Sequence, residues 1–147
     1  MRKEVSCGAV IFTRVNGELK YVIIRSLEGV YGFPKGHMEG SETERETALR
    51  EISEEVGLSV RLLPGFRTED AYPLPWRPRL IKRVIYFLAT YDGSQPLRPL
   101  RSELSGAALM SRDEALAVFR FDGVKRILQE ADEYIRMHIE ADEAQSV

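Results

Sequence analysis

The sequence predicts an α/β fold, a mixed central sheet sandwiched between helices. Two observations carry this. Runs rich in β-branched and aromatic residues, Val5–Val15, Glu18–Arg25 and Lys82–Tyr91, read as strands. Two stretches with apolar residues at helical spacing, one over residues 41–57 and one over 122–135, are interposed among or follow them. Strands with interposed helices bury their apolar faces best as layers.

Taken in order, Val5–Val15 opens the sheet and carries Cys7 as a small core residue. Asn16-Gly17 is a strong hairpin signal, and Glu18–Arg25 is the return strand. Tyr21, Val22, Ile23 and Ile24 are continuous, which marks a strand buried on both faces. Leu27–Pro34 reads as a loop. Ser41 is the expected N-cap of the first helix, with Glu44 completing a capping box and Gly57 as the left-handed C-cap. Ala48, Leu49, Ile52 and Val56 form its apolar stripe. Leu58–Leu63 is a short strand turned by Pro64-Gly65, and Phe66–Tyr72 is extended. Pro73–Arg79 reads as a stiff loop, because three prolines remove donors. Its Trp76 is either an exposed stacking platform or a loop anchor. After the strand Lys82–Tyr91, residues Pro96–Pro99 are irregular. Ser111 and Glu114 form a second capping box over a short helix to about Phe119. Asp122 is the expected cap of the last helix, and the acidic tail after Ile139 is expected to fray.

The 147 residues suit a single domain, 1–147, burying roughly two-thirds of its unfolded surface. One cysteine excludes an internal disulfide and fits a reducing cytoplasm. No apolar run approaches the ~20 residues of a membrane span, and no signal peptide is expected. A net charge of -2 disfavours wrapping of DNA.

The chemistry concentrates on the first helix. Glu51, Glu54 and Glu55 stand at i, i+3 and i+4 and share one face. Two like charges about 4 Å apart repel by roughly 4 kcal/mol near a protein surface. Arg50 precedes Glu54 by four residues and offsets part of this, with Glu46 competing for the same guanidinium. The remaining charge is either a solvated helix face or a site for a hard, oxygen-seeking cation such as Mg²⁺ or Mn²⁺.

The wider spacing fits G-x5-E-x7-R-E-U-x-E-E-x-G-U, with U aliphatic. Gly36, Glu42, Arg50, Glu51, Ile52, Glu54, Glu55, Gly57 and Leu58 fill every fixed position. This stretch, 36–58, resembles the signature box of the Nudix hydrolases. The resemblance implies a Nudix-type α/β/α sandwich and catalysis of phosphoanhydride hydrolysis. It implies that Glu51, Glu54 and Glu55 hold the cation with the Gly36 carbonyl, that Arg50 orients the acids, and that Glu42 supports the helix start. Many members carry a loop acid that binds a further metal or activates water. Glu103 stands in the corresponding loop, although Ala107-Ala108-Leu109-Met110 departs from the family pattern, and a solvated glutamate is the competing reading.

The loop GFPKGHMEG and the strand KRVIYFLA are similar to those of the asymmetric diadenosine tetraphosphate hydrolase branch. That similarity implies phosphate contacts from Lys35, His37 and Lys82, with Tyr86 a further candidate. It implies adenine-stacking rings at Tyr72 and Phe121. Each has an ordinary alternative: a surface charge for the lysines, a backbone-bonded loop residue for His37, and packing for the aromatic residues. The expected protein is a cytoplasmic, Mg²⁺-dependent hydrolase, a monomer or weak dimer, cleaving diadenosine tetraphosphate to ATP and AMP. Nucleoside triphosphates, RNA 5′ ends and diphosphoinositol phosphates are alternative substrates. A non-catalytic binding module of the same fold is the alternative from another class.

Overall fold

The computed structural model describes residues 3–139; the acidic tail expected to fray lies beyond them. The strands are β1 (Lys3–Val15), β2 (Glu18–Ser26), β3 (Tyr31–Gly32), β4 (Lys35–His37), β5 (Arg61–Leu74), β6 (Arg77–Thr90) and β7 (Leu104–Met110). The helices are α1 (Glu44–Val56), α2 (Arg112–Val118) and α3 (Asp122–Tyr134), the last continued by a π-helical turn, Ile135–Ile139. All strands join one sheet of order β3-β2-β1-β6-β5, with β4 paired to β1 and β7 to β2. β1 and β6 are parallel, whereas the remaining pairs are antiparallel, so the sheet is mixed.

Strand alternation feeds two cores. Val10, Phe12, Tyr21, Ile23, Val84, Tyr86 and Leu88 pack with Ile127, Leu128, Ala131 and Ile135 of the α3 layer. Cys7, Ala9, Ile11, Val22, Ile24, Ile85 and Phe87 pack with Ala48, Ile52 and Val56 of α1. The Tyr21–Ile24 run divides between the two, as expected of a strand covered on both faces. Leu49 departs from the expected stripe and is 40% exposed. Asn16 and Gly17 both have positive φ, 52° and 81°, as the tight hairpin between β1 and β2 requires.

Several local expectations are corrected. Thr43, not Ser41, caps α1. Its hydroxyl accepts from Glu46 N–H at 3.1 Å, and the Glu46 carboxylate accepts from Thr43 N–H at 2.8 Å. Glu46 is therefore engaged in the cap rather than competing for Arg50, and Glu44 pairs with Arg67 at 2.9 Å. Asp122 is the first residue of α3 and Phe121 is its N-cap, without a side-chain cap. Pro64-Gly65 does not end a strand. It forms a bulge inside β5, where the pairing steps from Leu63↔Leu88 to Arg67↔Phe87. Pro73–Arg79 is not a loop but the end of a hairpin, with Leu74 opposite Arg77 and Trp76 at the tip, 74% exposed. The prolines are tolerated because β5 is an edge strand and β6 gains β1 as a neighbour only from Ile81 onward. The short strands β3 and β4 lie in segments read as loops. β7 was not expected: its run Gly106-Ala107-Ala108 has little β propensity and forms by pairing with β2.

The cap assignment is open to test. Thr43→Ala is expected to lower unfolding stability by about 1 kcal/mol, and Ser41→Ala to leave it nearly unchanged. Urea denaturation of the two variants checks this, and the reverse order would restore Ser41 as the cap.

Candidate functional site

The site begins where β1 changes partner. Over Phe12–Val15 β1 pairs with β2, and over Ser6–Gly8 it pairs with β4. Gly8 permits this approach, because a Cβ there would stand 2.0 Å from the Pro34 carbonyl oxygen. β4 thereby holds Lys35, Gly36 and His37 at a sheet edge beside α1. Gly36 is held as closely: a Cβ would stand 2.0 Å from the Glu51 carboxyl carbon, so the bare backbone lies directly against this acid.

Arg50 ties the parts together. Its guanidinium donates to both oxygens of Glu42, at 2.7 and 3.0 Å. It also donates to Glu51 at 2.8 Å, to Glu54 at 3.1 Å and to the His37 carbonyl at 2.9 Å. This arrangement offsets the repulsion of the acids and anchors the β4–α1 loop. Glu42 also accepts from Thr47 and from Glu39 N–H. The hydrogen bonds from Arg50, then that from Glu39 N–H, hold its carboxyl down at about 2. Glu42 supports the helix start as expected.

Glu51, Glu54 and Glu55 differ in environment. The Glu54 side chain is 56% exposed, whereas Glu55 is buried. Burial raises the Glu55 carboxyl to about 7; the nearby Glu51 and Glu103 charges add to the rise. The Lys35 N–H, at 3.4 Å, and the Lys35 charge oppose it. Burial lowers the Lys35 ammonium from its ordinary value, and the Lys82 charge lowers it further. The loop after β6 docks on the α1 C-terminus, where Arg98 N–H donates to Val56 O at 2.8 Å and Leu100 N–H to Glu55 O at 2.9 Å. These bonds satisfy orphan helix carbonyls and bring Glu103 to the same place.

The resulting cleft of ≈ 500 Å³ is lined by Lys35, Gly36, His37, Glu51, Glu54, Glu55, Lys82 and Glu103, with Ser6, Glu39 and Leu100. Eight residues singled out from the sequence thus meet. Tyr72 is directly across from Lys82 on the neighbouring strand and 38% exposed, but does not line this cleft. Tyr86 corrects an expectation: it is buried in the α3-side core, edge-on to Phe33 at 5.5 Å, away from the cleft lining. Phe121 is 57% exposed beside α3, neither core nor cleft lining. A second hollow of ≈ 470 Å³ lies at Arg112, Asp132 and Arg136. Its Asp132 already accepts from Tyr21, Arg112 and Arg136.

Glu4 and Ser6 were missed by sequence reasoning. The His37 Nε2 contacts the Glu4 carboxylate. The available signal was the alternation in β1, where Glu4 and Ser6 are polar on the face opposite Val5 and Cys7.

The donors fit a hard divalent cation. They are carboxylates around one cleft, beside the uncovered backbone of Gly36, and Arg50 uses one oxygen each of Glu51 and Glu54. Among the described residues no three acidic, His or Cys side chains already converge tightly enough to hold an ion.

The Glu55 environment makes metal-free stability pH-dependent. Its folded value, about 7, lies above the ordinary glutamate value of 4.5, so the folded state retains the proton longer. Stability contributed below pH 4.5 is lost as pH rises through about 7. The loss is on the order of 3 kcal/mol for a shift of this size. Chelator-treated protein should melt lower at pH 8 than at pH 5, and Glu55→Gln should flatten that difference. An equally steep profile in the variant would refute this assignment.

Comparison with known proteins agrees with the architecture. The family model described as NUDIX domain matches residues 3–130. The chain is 31% identical over 141 residues to the asymmetrical bis(5′-nucleosyl)-tetraphosphatase of Rattus norvegicus, covering 88% of this chain and 94% of that one. It is 29% identical to the NAD-capped RNA hydrolase NudC of Chromobacterium violaceum, covering 74% of this chain but 42% of the relative. Among solved structures, a C. elegans Ap4A hydrolase binary complex superposes with a TM-score of 0.83 at 17% identity, covering 90% of this chain and 98% of that one. The NUDIX domain of Shewanella oneidensis NrtR, complexed with ADP ribose, superposes with a TM-score of 0.73 at 17% identity. With the signature box folded as a loop, a helix and an acid-lined cleft, and a family match spanning most of its length, the chain belongs to the Nudix hydrolase family.

Proposed function

We propose that this chain is a single-domain hydrolase that cleaves a phosphoanhydride bond of a dinucleoside polyphosphate, diadenosine tetraphosphate giving ATP and AMP. The observation that carries the reading is the composition of the cleft: carboxylates from α1 together with Lys35 and His37 from β4 and Lys82 from β6. A bound anhydride needs its charge neutralised, a water aimed in line, and cations along the phosphates. The rat relative named for asymmetrical tetraphosphate cleavage covers nearly its whole length, which favours this substrate over a capped RNA.

Glu51, Glu54 and Glu55, with the Gly36 carbonyl, would hold Mg²⁺ or Mn²⁺, and Glu103 would complete the acidic lining. The cation supplies Lewis-acid stabilisation and a more acidic water when bound. Arg50 fixes the carboxylates without closing them off. Lys35 and Lys82 bind the phosphate chain from β4 and β6, and His37, whose Nε2 is engaged by Glu4, stands beside them in the cleft lining. Tyr72, beside Lys82, provides a surface for one base, and Phe121 is an exposed ring for the other. Magnesium as the physiological ion and a cytoplasmic location belong to this proposal. Among the described residues no helix is long and apolar enough to cross a membrane.

Glu54→Gln and Glu55→Gln each keep the side-chain volume while removing a charged ligand. Hydrolysis with Mg²⁺ should fall at least about 10²-fold in each. Near-normal turnover in both would end the assignment of these acids.

Substrate choice is tested by product analysis on a panel of polyphosphates. Diadenosine tetraphosphate should show a higher kcat/KM than ATP. Tyr72→Ala should raise KM by the equivalent of about 1–3 kcal/mol with kcat nearly kept. Preference for a mononucleotide or an RNA 5′ end would overturn the substrate, and an unchanged KM with lowered thermal stability would make Tyr72 a packing residue.

A further inference from the structure

Ser6 lies on the β1 face opposite the core residue Cys7. Its cross-strand neighbours are His37 on β4 and Val84 on β6. The residue is 1% exposed and belongs to the lining of the cleft. Among the described residues, buried side-chain oxygens without a hydrogen-bond partner occur only at Ser6 and Tyr91. Tyr91 packs in the α1-side core and does not line the cleft.

A buried hydroxyl without a partner destabilises the fold, and an apolar residue of the same size would avoid the penalty. Such a group is informative when it borders a ligand cleft, because a ligand can supply the missing partner. The neighbours set the ligand's chemistry. Lys35 on β4, opposite Gly8, and Lys82 on β6, opposite Glu4, are the cations nearest Ser6 on its face of the strand register and line the same cleft, so a group with negative acceptor oxygens bound by these two lysines comes beside the hydroxyl. A hydroxyl complements that set by donating a short, directional hydrogen bond that a lysine does not fix in angle.

We propose that Ser6 Oγ is a phosphate-binding donor, giving its proton in a hydrogen bond to a non-bridging oxygen of the bound polyphosphate. The inference rests on the reading of this cleft as a polyphosphate site. Ser6 thus adds directional binding, and its orphan state belongs to the ligand-free protein.

Ser6→Ala, Ser6→Thr and wild type are compared by calorimetric titration with inorganic triphosphate in Mg²⁺ buffer, by melting of the ligand-free proteins, and by hydrolysis of diadenosine tetraphosphate. Ser6→Ala should bind triphosphate about tenfold more weakly and raise KM by a similar factor, with kcat within about twofold. Its ligand-free melting temperature should be equal or higher, since the hydroxyl has no partner to lose. Ser6→Thr, which keeps the donor, should recover most of the affinity. Unchanged affinity in Ser6→Ala overturns the role of Ser6 while wild-type hydrolysis leaves the hydrolase reading standing. A lowered melting temperature with unchanged affinity likewise assigns the hydroxyl a structural partner. Failure of wild type to bind triphosphate or to hydrolyse the dinucleotide overturns both.

Discussion

The structure around the cleft depends on how α1 tolerates its own charge. Glu54 and Glu55 sit in the last turn, where the helix dipole already disfavours anions, and that turn contains no basic residue. Arg50 is the protein's answer. One guanidinium reaches Glu42, Glu51, Glu54 and the His37 carbonyl. A lysine would place a point charge nearby but lacks the planar fork that bonds several partners at once. The same residue therefore makes the helix viable, fixes the loop from β4 and holds two carboxylates at the cleft.

The sheet supplies the second constraint. A single strand, β1, is shared along one side by β2 and then β4, while β6 runs beside it from Lys3 to Phe12. The change of partner creates a short edge at which backbone can press against α1. Gly8 and Gly36 mark the two closest approaches, and neither site has room for a side chain. Acids then arrive from the helix, and cations arrive from β4 and β6. Burial acts on both kinds of charge in the direction of neutrality, raising Glu55 and lowering Lys35. A multiply charged ligand together with a cation would relieve both.

The acidic face and the helix were legible because they are local: the i, i+3, i+4 spacing of Glu51, Glu54 and Glu55 and the αL residue Gly57 need only the helix itself. The signature spacing from Gly36 to Leu58 extended that reading to the loop and to Arg50. The two-sided core was likewise visible in the continuous Tyr21–Ile24 run. The cap was misread by two residues, because Ser41-Glu44 and Thr43-Glu46 are equally good boxes in sequence and only the path of the entering chain chooses.

Sequence by itself determined which stretch concentrates negative charge, that it forms a helix, and that strands surround it. Those properties arise from spacing and side-chain chemistry within a few residues. Tertiary structure decided which distant groups face that helix. It set Tyr86 in the core, left Phe121 outside the cleft lining, and paired Glu4 with His37. It turned a proline-rich segment into a hairpin and made β7 from a weak strand former. Each outcome depends on cross-strand register and on which sheet edge is left open, and those are fixed by the packing of the whole fold rather than by local propensity.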